Sequence, residues 1–180
     1  MKRCYSTGIL MAICIILWGC PYSSPYGIDA VATEGIDDNL LGNWATLVNK
    51  PSYDQYPKAD SVQICFTRYT DKEYTIAITG AIKELLPYHC IERDTIKGNA
   101  YLSTINKKKF LNVFVSGRMY IAELIQKPDG LTINCLAERF TAKYIKTCDQ
   151  LRSVLSFHYR VAISPAYDDF FVLKNLHKIN

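Results

Sequence analysis

This chain has no C-x-x-C pair, no glycine-rich phosphate or dinucleotide loop, no G-x-S-x-G turn and no H-E-x-x-H helix. Those absences remove zinc ribbons, thioredoxin-like centres, nucleotide-binding loops, α/β hydrolases and zinc-helix proteases, because each chemistry needs its residues at those spacings. Histidine is scarce, with three among 180 residues. His89 does stand beside Cys90, a base next to a thiol. Neighbours on a strand point to opposite faces, however, and a nucleophile needs its base within hydrogen-bond reach. His158 sits where a cation at a helix end is favoured by the carbonyl dipole, which explains it without a ligand. An excess of one charge is also missing: 21 Lys and Arg against 17 Asp and Glu give a net charge of +4. That is too little for a nucleic-acid-binding protein. The acidic pairs Asp37–Asp38, Asp168–Asp169 and Glu92 with Asp94 lack the spacing of a calcium loop or a carboxylate dyad. No cofactor, metal or catalytic constellation is implied.

Long hydrophobic runs are absent but for one, Ile9 to Trp18, which follows the basic pair Lys2–Arg3. At ten residues it is too short for the ~20 that a spanning helix needs, and its length and flank fit a secretory leader. Leu17, Gly19 and Cys20 follow directly and resemble the lipobox of bacterial lipoproteins. There the cysteine is kept, acylated and made the first residue of the mature chain. That resemblance implies residues 1–19 as a signal peptide, Cys20 as the lipidation site and a membrane partner held through its lipid. Pro21 in place of Asp favours the outer membrane of a Gram-negative cell. Two basic residues leave with the leader, which lowers the net charge to about +2. Residues 20–38, rich in Pro, Ser, Gly and Asp, read as a tether, and 39–180 as one domain.

Seven cysteines are present. Cys4 and Cys14 lie in the leader and Cys20 takes lipid. Cys65, Cys90, Cys135 and Cys148 remain, and spacing does not choose between three pairings and buried thiols.

Thirteen Tyr, with many Ile, Val and Thr, favour strands. Period-two alternation marks Trp44–Val48, Ser61–Tyr69, Glu73–Thr79, Tyr88–Ile96, Tyr101–Ile105, Phe110–Val115, Met119–Ile125, Leu131–Ala137 and Phe140–Ile145, with Tyr167–Leu173 last. Residues 80–87 are ambiguous between loop and one helical turn. Phe110–Val115 is apolar on both faces apart from Asn112. Lys127-Pro128-Asp129-Gly130 is the best hairpin signal, with Pro presetting φ and Gly accepting a positive one. The period then changes: Thr147 and Gln150 form a capping box, and Leu151, Val154, Leu155 and Tyr159 form one stripe, so a helix is predicted over about 148–157. The predicted fold is mainly β, an antiparallel meander closing into a barrel or a sandwich with one C-terminal helix and a final strand.

Leu40-Leu41-Gly42-Asn43-Trp44 resembles the opening of the lipocalin and fatty-acid-binding-protein group, where Gly-x-Trp marks the first strand and the Trp plugs one end of the barrel. Gly42 and Trp44 occupy those positions, and the order of strands, helix and strand is similar. The resemblance implies a lipocalin-like barrel and structural roles for both residues. The group's Thr-Asp-Tyr signature is absent. Its arginine over the Trp has two candidates here, Arg118 and Arg139. Glu123 has two readings. If Ile121 and Ile125 point inward, it is buried and can orient a ligand. If Tyr120, Ala122 and Leu124 do, it is solvated. Lys107-Lys108-Lys109 is a basic hairpin tip, a solubilising turn or a contact for headgroups or an acidic partner. The expected function is non-enzymatic: an envelope-anchored barrel holding a small apolar or amphipathic ligand. The alternative is an interaction protein that contacts another envelope protein through its loops.

Overall fold

The computed structural model describes residues 24–49, 59–80, 95–137, 145–161 and 167–179. Eight antiparallel strands close into a barrel in sequence order: β1 (Gly42–Asn49), β2 (Ala59–Arg68), β3 (Glu73–Gly80), β4 (Thr95–Ile105), β5 (Lys108–Val115), β6 (Arg118–Lys127), β7 (Gly130–Leu136) and β8 (Tyr167–Ile179). Each strand pairs with the next, and β8 returns to β1 through Asn43, Trp44 and Ala45. Closure gives every strand a neighbour on both sides, with β1 and β8 joined over three residue pairs, and so reduces the edge liability that a meander of this length would carry. One helix, α1 (Cys148–Arg160), lies in the chain between β7 and β8.

Alternation decides the inside. Val62, Ile64 and Phe66 of β2 line the interior beside Tyr74, Ile76 and Ile78 of the adjacent β3, with Ala100, Leu102, Leu111, Ala122, Leu124, Leu131, Ile133 and Cys135 continuing the same buried cluster. A second cluster lies on the outer wall. Ile105, Phe110, Ile121 and Leu136 project outward there and are covered by Leu151 and Leu155 of α1 and by Ile28 from the N-terminal side. Burying each of those leucines stabilises the helix position by roughly 2 kcal/mol.

Several expected elements come out differently. Tyr101–Ile105 is the end of one strand that begins at Thr95. Gly98 does not break it: a Cβ there would collide with the Phe114 carbonyl, so the glycine lets β4 approach β5 closely. The hairpin at Lys127–Gly130 forms, but Gly130 is not among the residues with positive φ. The β4–β5 turn instead uses positive φ at Asn106 (48°) and Lys107 (66°), a mirror-image turn matched to strand twist. Thr147 caps α1 by accepting from the Gln150 N–H at 3.2 Å, while Gln150 Oε1 accepts from Lys146 N–H at 2.7 Å. The helix runs on past the predicted stop to Arg160. β8 also outruns its expected end at Leu173: its buried residues are Leu173 and Leu176, three apart, with Asn175 at φ 54° between them. That bulge breaks the period of two and hides the second half of the strand from a reading by alternation. Tyr88 to Asp94 and Phe140 to Tyr144 lie outside the described residues.

Candidate functional site: a barrel plugged at one end

One end of the barrel is closed by the residues leading into β1. Asp37 caps a short 3-10 helix, Asp38–Leu40, by accepting from the Asn39 N–H at 3.0 Å. Leu40 is fully buried in the interior cluster. The chain then turns at Gly42, whose φ of 111° excludes an ordinary side chain; a Cβ would also lie 3.1 Å from Lys178 Cε. Two residues on, Trp44 points into the same end and donates from Nε1 to the Leu40 carbonyl at 2.8 Å. Lys178 Nζ stands 5.6 Å from the Trp44 ring centroid, within cation–π range. The cation over the tryptophan is thus a lysine of β8. Arg118 begins β6 at the opposite end of the barrel, and Arg139 is outside the described residues.

Polar groups seal the rim of this plug. Lys109 Nζ lies 2.6 Å from Asp37 Oδ2, and Gln126 donates to the same oxygen at 3.4 Å. Burial raises the Asp37 pKa, but the hydrogen bonds from Lys109, Asn39 and Gln126 and the Lys109 charge outweigh it, leaving the carboxyl below its ordinary value. The Tyr74 hydroxyl accepts from the Asp37 N–H at 2.5 Å, and burial pushes this phenol up to about 12. Of the three lysines in the β4–β5 tip, Lys108 and Lys109 are turned into ion pairs.

The interior changes along its length. Near the plug Phe66, Ile76, Leu102, Leu131, Leu173 and Leu176 are exposed by no more than 2%. Toward the other end Ile78 and Cys135 reach 7% and 6%, and Ile96 and Val113 are only partly buried. Tyr120, paired with Val113 and on the face of Ala122 and Leu124, is partly buried as well. At the end opposite the plug the lining is therefore mixed, with Val62 fully buried beside the less buried Ile78, Ile96, Val113 and Tyr120.

The outer wall carries a second arrangement that no reading of the sequence placed. From Ser24 on, the stretch expected as a tether is bonded to the barrel. Ser24 bridges Met119 of β6, Ile28 N–H donates to Asn112 Oδ1 at 2.7 Å, and the Tyr101 hydroxyl donates to the Asp29 carbonyl at 2.5 Å. Ser103 and Arg152 each bind the Asp29 carboxylate at 2.6 Å. This strap crosses β6, β5 and β4 before Ile36 reaches the β2–β3 turn at Asp71. Asn112, the one polar residue in a run apolar on both faces, is the signal that pointed to it: the amide is fully buried and holds Ile28, Tyr101 and Ser103 together.

Glu123 lies in the same layer. Ala122 and Leu124 take the interior, so Glu123 points outward, yet it is 2% exposed because α1 and Tyr167 cover it. Lys108 Nζ donates at 2.7 Å, Tyr159 donates at 2.9 Å, and Tyr167 also donates. Burial first, then the hydrogen bonds and charge of Glu123, push both phenols well above the ordinary tyrosine value. The carboxylate is thus neither solvated nor inside the barrel, where a ligand-orienting group would have to point.

Cys20, Leu17 and Gly19 lie outside the described residues, as do Cys90 and His89. Cys65, Cys135 and Cys148 are not joined to one another. Burial pushes the Cys148 thiol up, so its place at the start of α1 does not make it a thiolate. Among the described residues no three His, Cys, Asp or Glu side chains converge as metal ligands, and no helix is long and apolar enough to cross a membrane. Comparison with protein-family models, curated proteins and solved structures finds no match to this chain.

Proposed function

We propose that the chain is a cell-envelope lipoprotein, held through acyl chains on Cys20 and non-enzymatic, whose lipocalin-like barrel takes the apolar part of a small amphipathic ligand at the end opposite its plug. In a Gram-negative cell its membrane is the outer one. The observation that carries the ligand reading is the asymmetry of the interior: sealed by Leu40, Trp44 and the Asp37–Lys109 pair at one end, and lined at the other by partly buried Ile96, Val113 and Tyr120. Partly buried apolar side chains at that end suit contact with a short apolar tail whose polar head stays outside the barrel. The tight packing near the plug supports the second reading, a solid barrel that contacts another envelope protein through its loops.

Native mass spectrometry of the protein extracted from bacterial membranes tests both parts. The mature mass is expected to lack residues 1–19 and to include diacylglycerol, with a further non-covalent mass lost in Val113→Trp, which fills the end opposite the plug. Cys20→Ala is expected to abolish processing and membrane association. Unchanged fractionation of Cys20→Ala removes the anchor. Absence of any non-covalent mass from both wild type and Val113→Trp favours the solid barrel.

A further inference from the structure

We infer that the rim formed by the β5–β6 turn is the face this barrel lays against a lipid surface, an inference that rests on the lipid anchor proposed at Cys20. Ser24 is fixed to that rim by two backbone hydrogen bonds with Met119, at 2.7 and 3.3 Å, and is buried there. Cys20 precedes Ser24 by four residues, a span of at most ~14 Å when fully extended. The plugged end is farther off: the ten residues of β6 cover roughly 30 Å. An acylated Cys20 therefore enters a bilayer beside the end opposite the plug and cannot do so beside the plug.

The chemistry of the rim agrees with that placement. Phe114 is 50% exposed on the outer wall at the end of β5. Lys97 shares the outer wall on the neighbouring strand, where Asn99 pairs with Phe114, and Arg118 opens β6 just past the turn. Among the described residues of this sector, Ile78–Gly80, Thr95–Asn99 and Val113–Tyr120, the charged ones are Lys97 and Arg118; the connection between Gly80 and Thr95 lies outside the described residues. The other strand ends at this level differ: β2 starts with Asp60 in its second position, and β8 starts with Asp168 and Asp169 in its second and third. Those strands flank β1, which lies across the barrel from β5. The turn itself projects freely, with Ser116 and Gly117 both at positive φ and nothing within 4 Å of where a Gly117 Cβ would stand. An exposed aromatic with Lys97 on its own face, and Arg118 on the inward-facing side of the same rim, suits an interfacial contact, the ring among acyl chains and the cations at anionic headgroups. Docked in this way, the barrel end with Ile96, Val113 and Tyr120 faces the bilayer, which makes a membrane lipid or lipid fragment the ligand class it meets first.

Two tryptophan variants of the lipidated full-length protein test the face. They are reconstituted in vesicles of acyl-brominated phosphatidylcholine with phosphatidylglycerol. Phe114→Trp puts the reporter on the rim. Tyr69→Trp puts it at the β2–β3 turn of the plugged end, where Tyr69 is 61% exposed; Trp44 is common to both. The expected result is quenching stronger by about twofold or more for Phe114→Trp. Equal quenching, or stronger quenching at Tyr69→Trp, in protein that floats with the vesicles overturns the docking face and leaves the anchor standing. Protein that does not float with the vesicles overturns the anchor and the face with it.

Discussion

The interior of the barrel and the layer beneath α1 are buried to a similar degree but are held by different physics. Inside, the buried side chains from Val62 to Leu176 are apolar, and the polar ones are Thr46, which donates to the Lys174 carbonyl at 2.6 Å, and Asp37, Lys109 and Tyr74 at the sealed rim. Beneath the helix and the strap, the apolar contacts of Ile28, Phe110, Leu151 and Leu155 alternate with Asn112, Ser103, Asp29, Arg152 and Glu123, each bonded to named partners. Apolar burial is non-directional, and inside the barrel direction is already supplied by the strand ladder. The helix and the strap pair with no strand ladder of their own apart from the bridge at Ser24. Their position on the wall has to come from side chains that fit in one place, and buried hydrogen-bonded groups do that because misplacing them leaves polar atoms unpaired.

Breaking the interior should have the larger effect. Phe66 is 1% exposed and packs edge-on against Tyr74 at 6.0 Å between centroids. Phe66→Ala is expected to cost about 4 kcal/mol, the lost transfer plus the cavity, seen as a lower urea midpoint. Because this residue holds two strands to the plug, amide exchange should quicken throughout β1–β3. A change confined to α1 contradicts the division between the two regions.

Glu123→Ala attacks the other side. Lys108 is 45% exposed and turns to water, and Tyr159 and Tyr167 keep their mutual contact at 3.1 Å. The penalty is therefore below that of an orphaned buried charge, about 2 kcal/mol. Its expected signature is local: faster amide exchange in α1 and at the start of β8, with β2 and β3 unchanged. Glu123→Gln keeps an acceptor for one phenol and should cost roughly half as much. Equal exchange changes in both regions would show the layer and the barrel to be one cooperative unit.

Much of this architecture is legible in the chain. Alternation marks the barrel strands, the Thr147–Gln150 pair marks the start of α1, and Gly42 and Trp44 mark the entry to β1. What alternation cannot report is whether an outward face is covered. The cover over Glu123 comes from Tyr159 and Tyr167, 36 and 44 residues away, and the partner of Asn112 is Ile28, 84 residues away. A period of two says only which neighbours share a face. Hence Glu123 had two readings when a third, outward and buried, holds. For the same reason the strap read as solvated tether: its composition is that of a linker, and the groups that bind it lie on strands far along the chain.

The smallest effect is expected where the two regions meet, at the sealed rim. Asp37 is held below its ordinary carboxyl value in the folded state. An acid depressed by folding binds its proton more weakly in the native state than in the unfolded one. Its contribution is complete above the unfolded value near 3.8 and is lost as pH falls through the lower folded value. Lys109 is 40% exposed and Asp37 14% exposed at their side chains, so solvent screens much of the pair and the contribution at neutral pH is at most about 1 kcal/mol. Asp37→Asn should therefore lower the melting temperature slightly at pH 7, and the deficit should shrink on going from pH 7 to pH 2 as the wild-type carboxyl takes up its proton. The cap to Asn39 survives the substitution through the amide oxygen, so the difference between the two pH values isolates the charge. A deficit that persists unchanged at pH 2 would assign the effect to packing of the plug, placing the rim with the interior and not with the polar layer outside it.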